Sequence, residues 1–278
     1  MKDNDNVAVL GLGIIGSQWA THYETAKCLA ASWNRSPRQD APRFVAQPDE
    51  AARRAGIIQI VVSDPAAVES VIGGILPELG PGHLVIQSST IDPASAKRFA
   101  GLVGGTGAHY VEAPFTGSKP AAQAKKVAFY LGGEPADLDR AEDVLALLSQ
   151  ARLRIGTIEQ AAALKLAMNL QIAIQMEALA ESLTFSRAAG IADDVYFGAL
   201  EKNVGYSGLV QLKSDKLRQG DWSPQFSVKH MLKDMRLALG AGKAATLPLT
   251  KGVEACLERA RANGWGDLDF SALCRNLL

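Results

Sequence analysis

The chain has 278 residues, enough for one large domain or two ordinary ones, and 47% of them are apolar, enough for a full core. Its 29 lysines and arginines balance 29 aspartates and glutamates; no basic patch announces a nucleic-acid partner, and no acidic tail is present. Cys28, Cys256 and Cys274 are isolated, which excludes a disulfide framework or a CxxC pair and favours a reducing compartment. The polar, acidic opening (1–6) is unlike a secretory signal, and no apolar run approaches the ~20 residues that span a bilayer, so a cytoplasmic protein is expected.

Val7-Ala8-Val9-Leu10 reads as a buried strand. Gly11, Gly13 and Gly16 follow at G-x-G-x-x-G spacing, and a helix is predicted over 17–26. In that context Gly11 permits a tight turn, Gly13 lets the backbone approach a pyrophosphate, and Gly16 lets the helix lie close on the strand. The pyrophosphate would sit on free N–H groups at the helix N-terminus, so Leu12, Ile14 and Ile15 join the glycines as candidate cofactor-binding residues. A glycine-rich turn without a ligand, or a methyltransferase-type nucleotide site, remains open on spacing alone.

Strands are predicted next at 29–33 and 43–47, a short helix at 48–55, a doubly buried strand at 57–62 and a helix at 65–72. A strand at 84–87, a helix from Pro93, strands at 109–113 and 127–131, a helix at 135–148 and a strand at 152–155 follow. This alternation predicts an α/β Rossmann-type doubly wound sheet. The pattern changes near 156–159. Residues 159–189 contain no proline or glycine and predict a spine helix of about 45 Å at ~1.5 Å per residue. Further helices are predicted over 193–202, 228–240, 249–263 and 269–277. An NADP-binding Rossmann domain over 1–158 and an all-α substrate and dimerisation domain over 159–278 are the expected division. The spine helix is apolar almost all round, which predicts burial within the molecule or between subunits, and hence a homodimer or homotetramer.

The end of the second strand reads Trp33-Asn34-Arg35-Ser36, with Arg38 close by. The acidic residue that usually meets a free ribose 2′-hydroxyl is missing there. Asn34, Arg35 and Ser36 suit a 2′-phosphate, which favours NADP over NAD, although an arginine can also stack on adenine. Ligands of open parallel sheets lie beyond the carboxyl ends of the strands. Val62-Ser63-Asp64, Ser88-Ser89-Thr90 and Thr116-Gly117-Ser118 all fall there. Each alone reads as an ordinary loop with helix-capping residues, and Asp64-Pro65 and Asp92-Pro93 look like helix starts; three in register point to a shared crevice.

Within residues 161–170 only Lys165 and Asn169 are polar. Four apart, they share a helix face. The lysine could snorkel to solvent and the amide could cap a neighbour. Alternatively Lys165 is a general acid whose partial burial draws its pKa from about 10.4 toward neutrality. Asn169 would then hold the substrate. His22, His83, His109 and His230 lack metal-ligand spacing, and no metal is expected.

Together these segments resemble the β-hydroxyacid dehydrogenases, the group of 3-hydroxyisobutyrate dehydrogenase, tartronate semialdehyde reductase and the glyoxylate/succinic semialdehyde reductases. The residues that carry the likeness are Gly11-Leu12-Gly13-Ile14-Ile15-Gly16, Trp33-Asn34-Arg35-Ser36, Ser88-Ser89-Thr90-Ile91-Asp92-Pro93 and Glu112-Ala113-Pro114-Phe115-Thr116-Gly117-Ser118. Leu164-Lys165-Leu166-Ala167-Met168-Asn169 matches the family's K-L-x-x-N, and residues 226–239 look like the F-x-x-K-H-x-x-K-D-x-x-L-A of the glyoxylate reductase branch. The resemblance implies a dehydrogenase or reductase in which Lys165 donates the proton and Asn169 orients the substrate. It implies further that Thr116, Gly117 and Ser118 bind the carboxylate, that Thr90 lies beside the nicotinamide, that Lys233 and Asp234 close the site, and that Phe226 helps line it. Thr116 stands where the family has serine, Lys125 about where it has glycine, and the 37–48 segment is short. Imine reductases share the architecture but generally lack the lysine, so Lys165 argues against them. A nucleotide-binding protein without turnover is the remaining rival.

Overall fold

The structure, a computed structural model, describes residues 6–242 and 246–277. Residues 1–5 of the polar opening lie outside the described residues. The contact pattern divides the chain into two compact units, Met1–Leu166 and Ala167–Leu278.

The first unit is a parallel-dominated sheet with helices on both faces. Its strands are β1 (Val7–Leu10), β2 (Leu29–Trp33), β3 (Ile57–Ile60), β4 (Leu84–Gln87), β5 (His109–Glu112), β6 (Phe115–Thr116), β7 (Val127–Gly132) and β8 (Ser149–Gly156). The order runs β2-β1-β3-β4-β5-β7-β6, with β8 paired to β7. The first five strands are mutually parallel, β7 meets β5 and β6 antiparallel, and β8 returns parallel to β7. Alternation along β1 feeds two cores. Val7 and Val9 pack with Trp19, Tyr23 and Phe129 on one face; Ala8 and Leu10 pack with Ile58, Ile72 and Phe99 on the other. Helices α1 (Gly16–Thr25), α2 (Pro48–Arg54), α3 (Pro65–Ile75), α4 (Pro93–Gly104), α5 (Lys119–Gln123) and α6 (Pro135–Leu145) supply the covering layers. Asp64 and Asp92 cap α3 and α4 by accepting from the Ala67 and Ser95 amides at 2.8 and 2.9 Å, and each is followed by proline.

The strand predicted over 43–47 does not form. Only one bridge, Ser32↔Phe44, is made there, because Pro42 and Pro48 flank the stretch and Arg43 turns to φ +50°. The two-residue β6 and the short α5 also lie outside the predicted elements, being too short to leave a periodic pattern.

Helix α7 (Ile158–Ala188) is continuous over 31 residues. Its first turns belong to the first unit: Ile158 and Ala162 join the core around β1 and β3, and Ala161 packs on Gly132. The rest of α7 begins the second unit, whose elements among the described residues are helices. There it packs with α8 (Asp193–Leu200), α9 (Gly208–Gln219), α10 (Val228–Ala241) and α11 (Pro248–Ala260) around Met176, Leu183, Phe197, Met231 and Leu257. Helix α9 lies outside the predicted elements. Lysine, serine, aspartate and glutamine interrupt its apolar stripe, yet its punctuation is plain: Ser207 accepts from the Val210 amide, and Gly220 ends it at φ +63°. The helix predicted over 249–263 ends instead at Ala260, with a wider turn over Arg261–Trp265, and the segment predicted over 269–277 is a 3-10 helix, Phe270–Asn276. No helix among the described residues is long and apolar enough to cross a membrane.

Candidate active site

The glycine turn between β1 and α1 shows why Gly11 and Gly16 are needed. Gly11 sits at φ +109°, and a Cβ on it would strike the Val61 carbonyl. A Cβ on Gly16 would strike the Gly11 carbonyl, so α1 could not approach the strand. Gly13 differs: nothing lies within 4 Å of its absent Cβ, and Gly13 and Ile14 are exposed. Room is thus left over the middle of the turn, at the start of a helix that no side chain caps. An elongated anionic dinucleotide fits that combination of open backbone and helix N-terminus.

The end of β2 is tied to this turn. Asn34 Oδ1 accepts from the Leu12 amide at 3.0 Å, and the Gly11 amide donates to the Trp33 carbonyl at 2.8 Å. Asn34 therefore shapes the turn as well as flanking it. Arg35 and Ser36 are exposed just beyond, with no carboxylate among residues 33–36. Arg38 contributes more than its position suggested: Nη1 donates to the Leu12 carbonyl at 3.2 Å, and Nε pairs with Asp40 at 3.3 Å.

The other strand-end clusters lie along the same carboxyl edge of the sheet. Val62 and Ser63 follow β3, Ser63 donating to Asp64 at 2.6 Å. Thr90 follows β4 and is half-buried. Thr116, on β6, is half-buried and its hydroxyl bonds Tyr130; that bond partly offsets the upward push of burial on the tyrosine. Gly117 takes φ +135°, where a Cβ would press on Val127. Ser118 begins α5 without capping it. Lys125 stands at φ +58°, directly after the end of α5, where the Lys126 amide reaches back to the Ala121 carbonyl at 2.7 Å. This is the left-handed position at a helix end that glycine fills without strain.

Lys165 is 8% exposed on α7, and Asn169, one turn later, is buried as well. In the second unit Asn169 Nδ2 donates to Asp234 Oδ2 at 2.5 Å, and Lys233 Nζ lies 2.9 Å from Asp234 Oδ1. A carboxylate only accepts, so the amide nitrogen of Asn169 faces Asp234 and its orientation is set. Asn169, Lys233 and Asp234 are thereby brought together. Phe226 stands at the entry to α10, stacked on His230 with ring centroids 6.2 Å apart. Burial, then Lys233 and Lys229, holds the His230 ring below the ordinary histidine range.

Two family models match consecutive stretches. Residues 6–158 match the NAD binding domain of 6-phosphogluconate dehydrogenase, and residues 160–277 match the NAD-binding model of NADP-dependent 3-hydroxyisobutyrate dehydrogenase. Glyoxylate/succinic semialdehyde reductase 1 of Arabidopsis thaliana is 27% identical over 96% of this chain and 96% of its own length. The 3-hydroxyisobutyrate dehydrogenase of Mycobacterium tuberculosis, solved with L-serine, superposes with a TM-score of 0.89 at 25% identity, covering 98% and 99% of the two chains. That of Salmonella typhimurium gives 0.87 at 25% identity, with 98% and 99% covered. The fold extends further, to a reductive aminase from Aspergillus terreus with a TM-score of 0.64 at 20% identity, covering 99% and 100%. The mouse cytokine-like nuclear factor N-PAC is 24% identical over 97% of this chain but only 50% of its own length.

Proposed function

We propose a function from one premise: this chain belongs to the 3-hydroxyisobutyrate dehydrogenase family of NAD(P)-binding oxidoreductases. Hydroxyacid dehydrogenase or reductase chemistry with NAD(P) is common ground with its relatives. The finer reading is that the protein interconverts a small hydroxyacid and its aldehyde or keto acid, with NADP(H) preferred to NAD(H). Residues 1–158 hold the cofactor, and residues 159–278 serve substrate binding and self-association. We place it in the cytoplasm as a homodimer or homotetramer.

In this reading Gly11 to Gly16 hold the pyrophosphate, Asn34, Arg35 and Ser36 the phosphorylated ribose, and Val62, Ser63, Thr90 and Lys233 the nicotinamide side. Bound reduced nicotinamide supplies the hydride. Thr116, Gly117 and Ser118 take the substrate carboxylate, with Phe226 and Asp234 completing the lining. Asn169, its amide oriented by Asp234, directs the reacting oxygen. The Lys165 ammonium gives that oxygen a proton as negative charge develops on it, and takes the proton back in the reverse direction. Binding and orientation thus fall to the backbone turns, and proton transfer to a single amine.

One observation supports this most: an amine almost wholly withdrawn from water lies one turn from an amide whose orientation a buried carboxylate dictates. Withdrawing an ammonium from water is costly. The test is oxidation of NADPH and NADH with glyoxylate, succinic semialdehyde, tartronate semialdehyde and a cyclic imine. NADPH-dependent turnover of at least one of the three acids is the expected result. Turnover of the imine alone would assign the protein to imine reduction. Cofactor binding without turnover of any would favour a nucleotide-binding role without catalysis.

A further inference from the structure

At the carboxyl edge of the sheet lies an acidic side chain that the mechanism above does not use. Glu112, the last residue of β5, is fully buried. Its Oε2 accepts from the Tyr110 hydroxyl at 2.8 Å, and its Oε1 accepts from Gln87 Nε2 at 3.0 Å. Gln87, equally buried at the end of β4, grips Ser89 by both backbone groups. The Ser89 amide donates to Gln87 Oε1 at 2.6 Å, and Gln87 Nε2 donates to the Ser89 carbonyl at 2.9 Å. Ser89 Oγ then accepts from the Val62 amide at 2.8 Å. One chain of hydrogen bonds therefore runs Tyr110–Glu112–Gln87–Ser89–Val62, from β5 across β4 to the loop after β3.

The sense of the Gln87 amide decides whether this chain holds. Rotated by half a turn, Gln87 would set its NH2 against the Ser89 amide, donor against donor, and its oxygen against the Ser89 carbonyl. Acceptors facing Nε2 favour the observed sense: the Ser89 carbonyl is one, and Glu112 is the one supplied from the neighbouring strand. Burial pushes the Glu112 carboxyl well above the ordinary glutamate range, with its hydrogen bonds to Tyr110 and Gln87 opposing and Asp92 adding to the rise. The neutral acid still offers its carbonyl oxygen to Gln87, so the function requires an acceptor and not a charge.

We propose that Glu112 is a positioning residue of the cofactor site: by accepting from Gln87 it fixes that amide, and so sets the loop of Ser89 and Thr90 and the Val62 backbone at the nicotinamide end. The proposal rests on the reading that Val62, Ser63 and Thr90 face the nicotinamide side of NADP(H).

The test measures binding of NADPH and of 2′,5′-ADP, which spans only the adenine end, to the wild type, Glu112→Gln, Glu112→Met and Ser89→Ala. Glu112→Met and Ser89→Ala should weaken NADPH about tenfold and leave 2′,5′-ADP within about twofold, since an unsatisfied buried donor is worth roughly that much. Glu112→Gln, which keeps an acceptor for Gln87, should restore wild-type NADPH binding. A folded Glu112→Met that binds NADPH as the wild type does would overturn the proposal. So would equal weakening of both ligands, or a Glu112→Gln as impaired as Glu112→Met. Should Glu112→Met not fold, Ser89→Ala decides: unchanged NADPH binding there sinks the idea. A wild type that binds no NADPH refutes the cofactor reading itself, and this proposal with it.

Discussion

The smallest changes bear most directly on the chemistry. If Lys165 is the proton donor, Lys165→Ala lowers kcat by about 100-fold or more while NADPH still binds, because general-acid assistance is worth that much. Steady-state kinetics on the best carbonyl substrate, with cofactor binding followed separately, checks this, and near-normal turnover would remove Lys165 from the mechanism. Lys125 offers a stability test. Its backbone is left-handed at the end of α5, so Lys125→Gly relieves strain and should raise stability by about 1 kcal/mol, less whatever the freer unfolded chain takes back. A urea midpoint unchanged or lowered would contradict that. That a helix ends here in a positive φ is decided by α5, which is too short to leave a periodic pattern in the sequence.

Elements are held by groups whose partners lie far along the chain. Lys213 on α9 is buried against Asp269 at 2.7 Å and lies over the Phe270 ring at 4.9 Å. Asp269 also accepts from the Gln225, Phe226 and Ser271 amides, so one carboxylate organises the segment that leads into α10. Against the upward push of burial, Lys213, the Gln225 amide and the Ser271 hydroxyl hold Asp269 below the ordinary aspartate range. Lys213→Met strands that carboxylate and should cost about 3–5 kcal/mol, while adding Asp269→Asn should cost less than the sum of the two single changes. Chemical denaturation of the four proteins in the cycle measures this, and additive costs would mean that the pair does not act as a unit. Helix α9 shows the limit of periodicity: a helix that devotes a buried position to a lysine breaks the apolar stripe by which helices are recognised.

For the molecule as a whole, stability against pH follows from Glu112. Its pKa is raised on folding, so its contribution is fully present below the unfolded value of about 4.3 and is lost as pH rises toward the folded value. Glu112→Gln removes that dependence. Its stability relative to the wild type should therefore grow with pH above that value, by up to about 1.4 kcal/mol per unit. Unfolding midpoints of both proteins at pH 5 and about pH 8 test the slope, and parallel curves would refute the shift. Self-association is the second whole-molecule prediction. Phe185 on α7 is 79% exposed and Val195 on α8 64%. A micromolar solution should sediment as a dimer or larger, and Phe185→Glu with Val195→Glu should shift it toward monomer. A wild type that sediments as a monomer would contradict the oligomer.

The amino-acid order alone determined the alternating strands and helices, the glycine turn, the two aspartate caps, the long helix and the face that Lys165 shares with Asn169. Each depends on spacing within one or two turns of chain, where local geometry dictates the outcome. Tertiary structure decided the rest: that 43–47 forms only a bridge, that α9 exists around a buried lysine, that Asp234 orients Asn169, and that Glu112 fixes Gln87 across neighbouring strands. These depend on which distant groups meet out of water, and a buried polar group takes its conformation from the partner that satisfies it, wherever in the chain that partner lies.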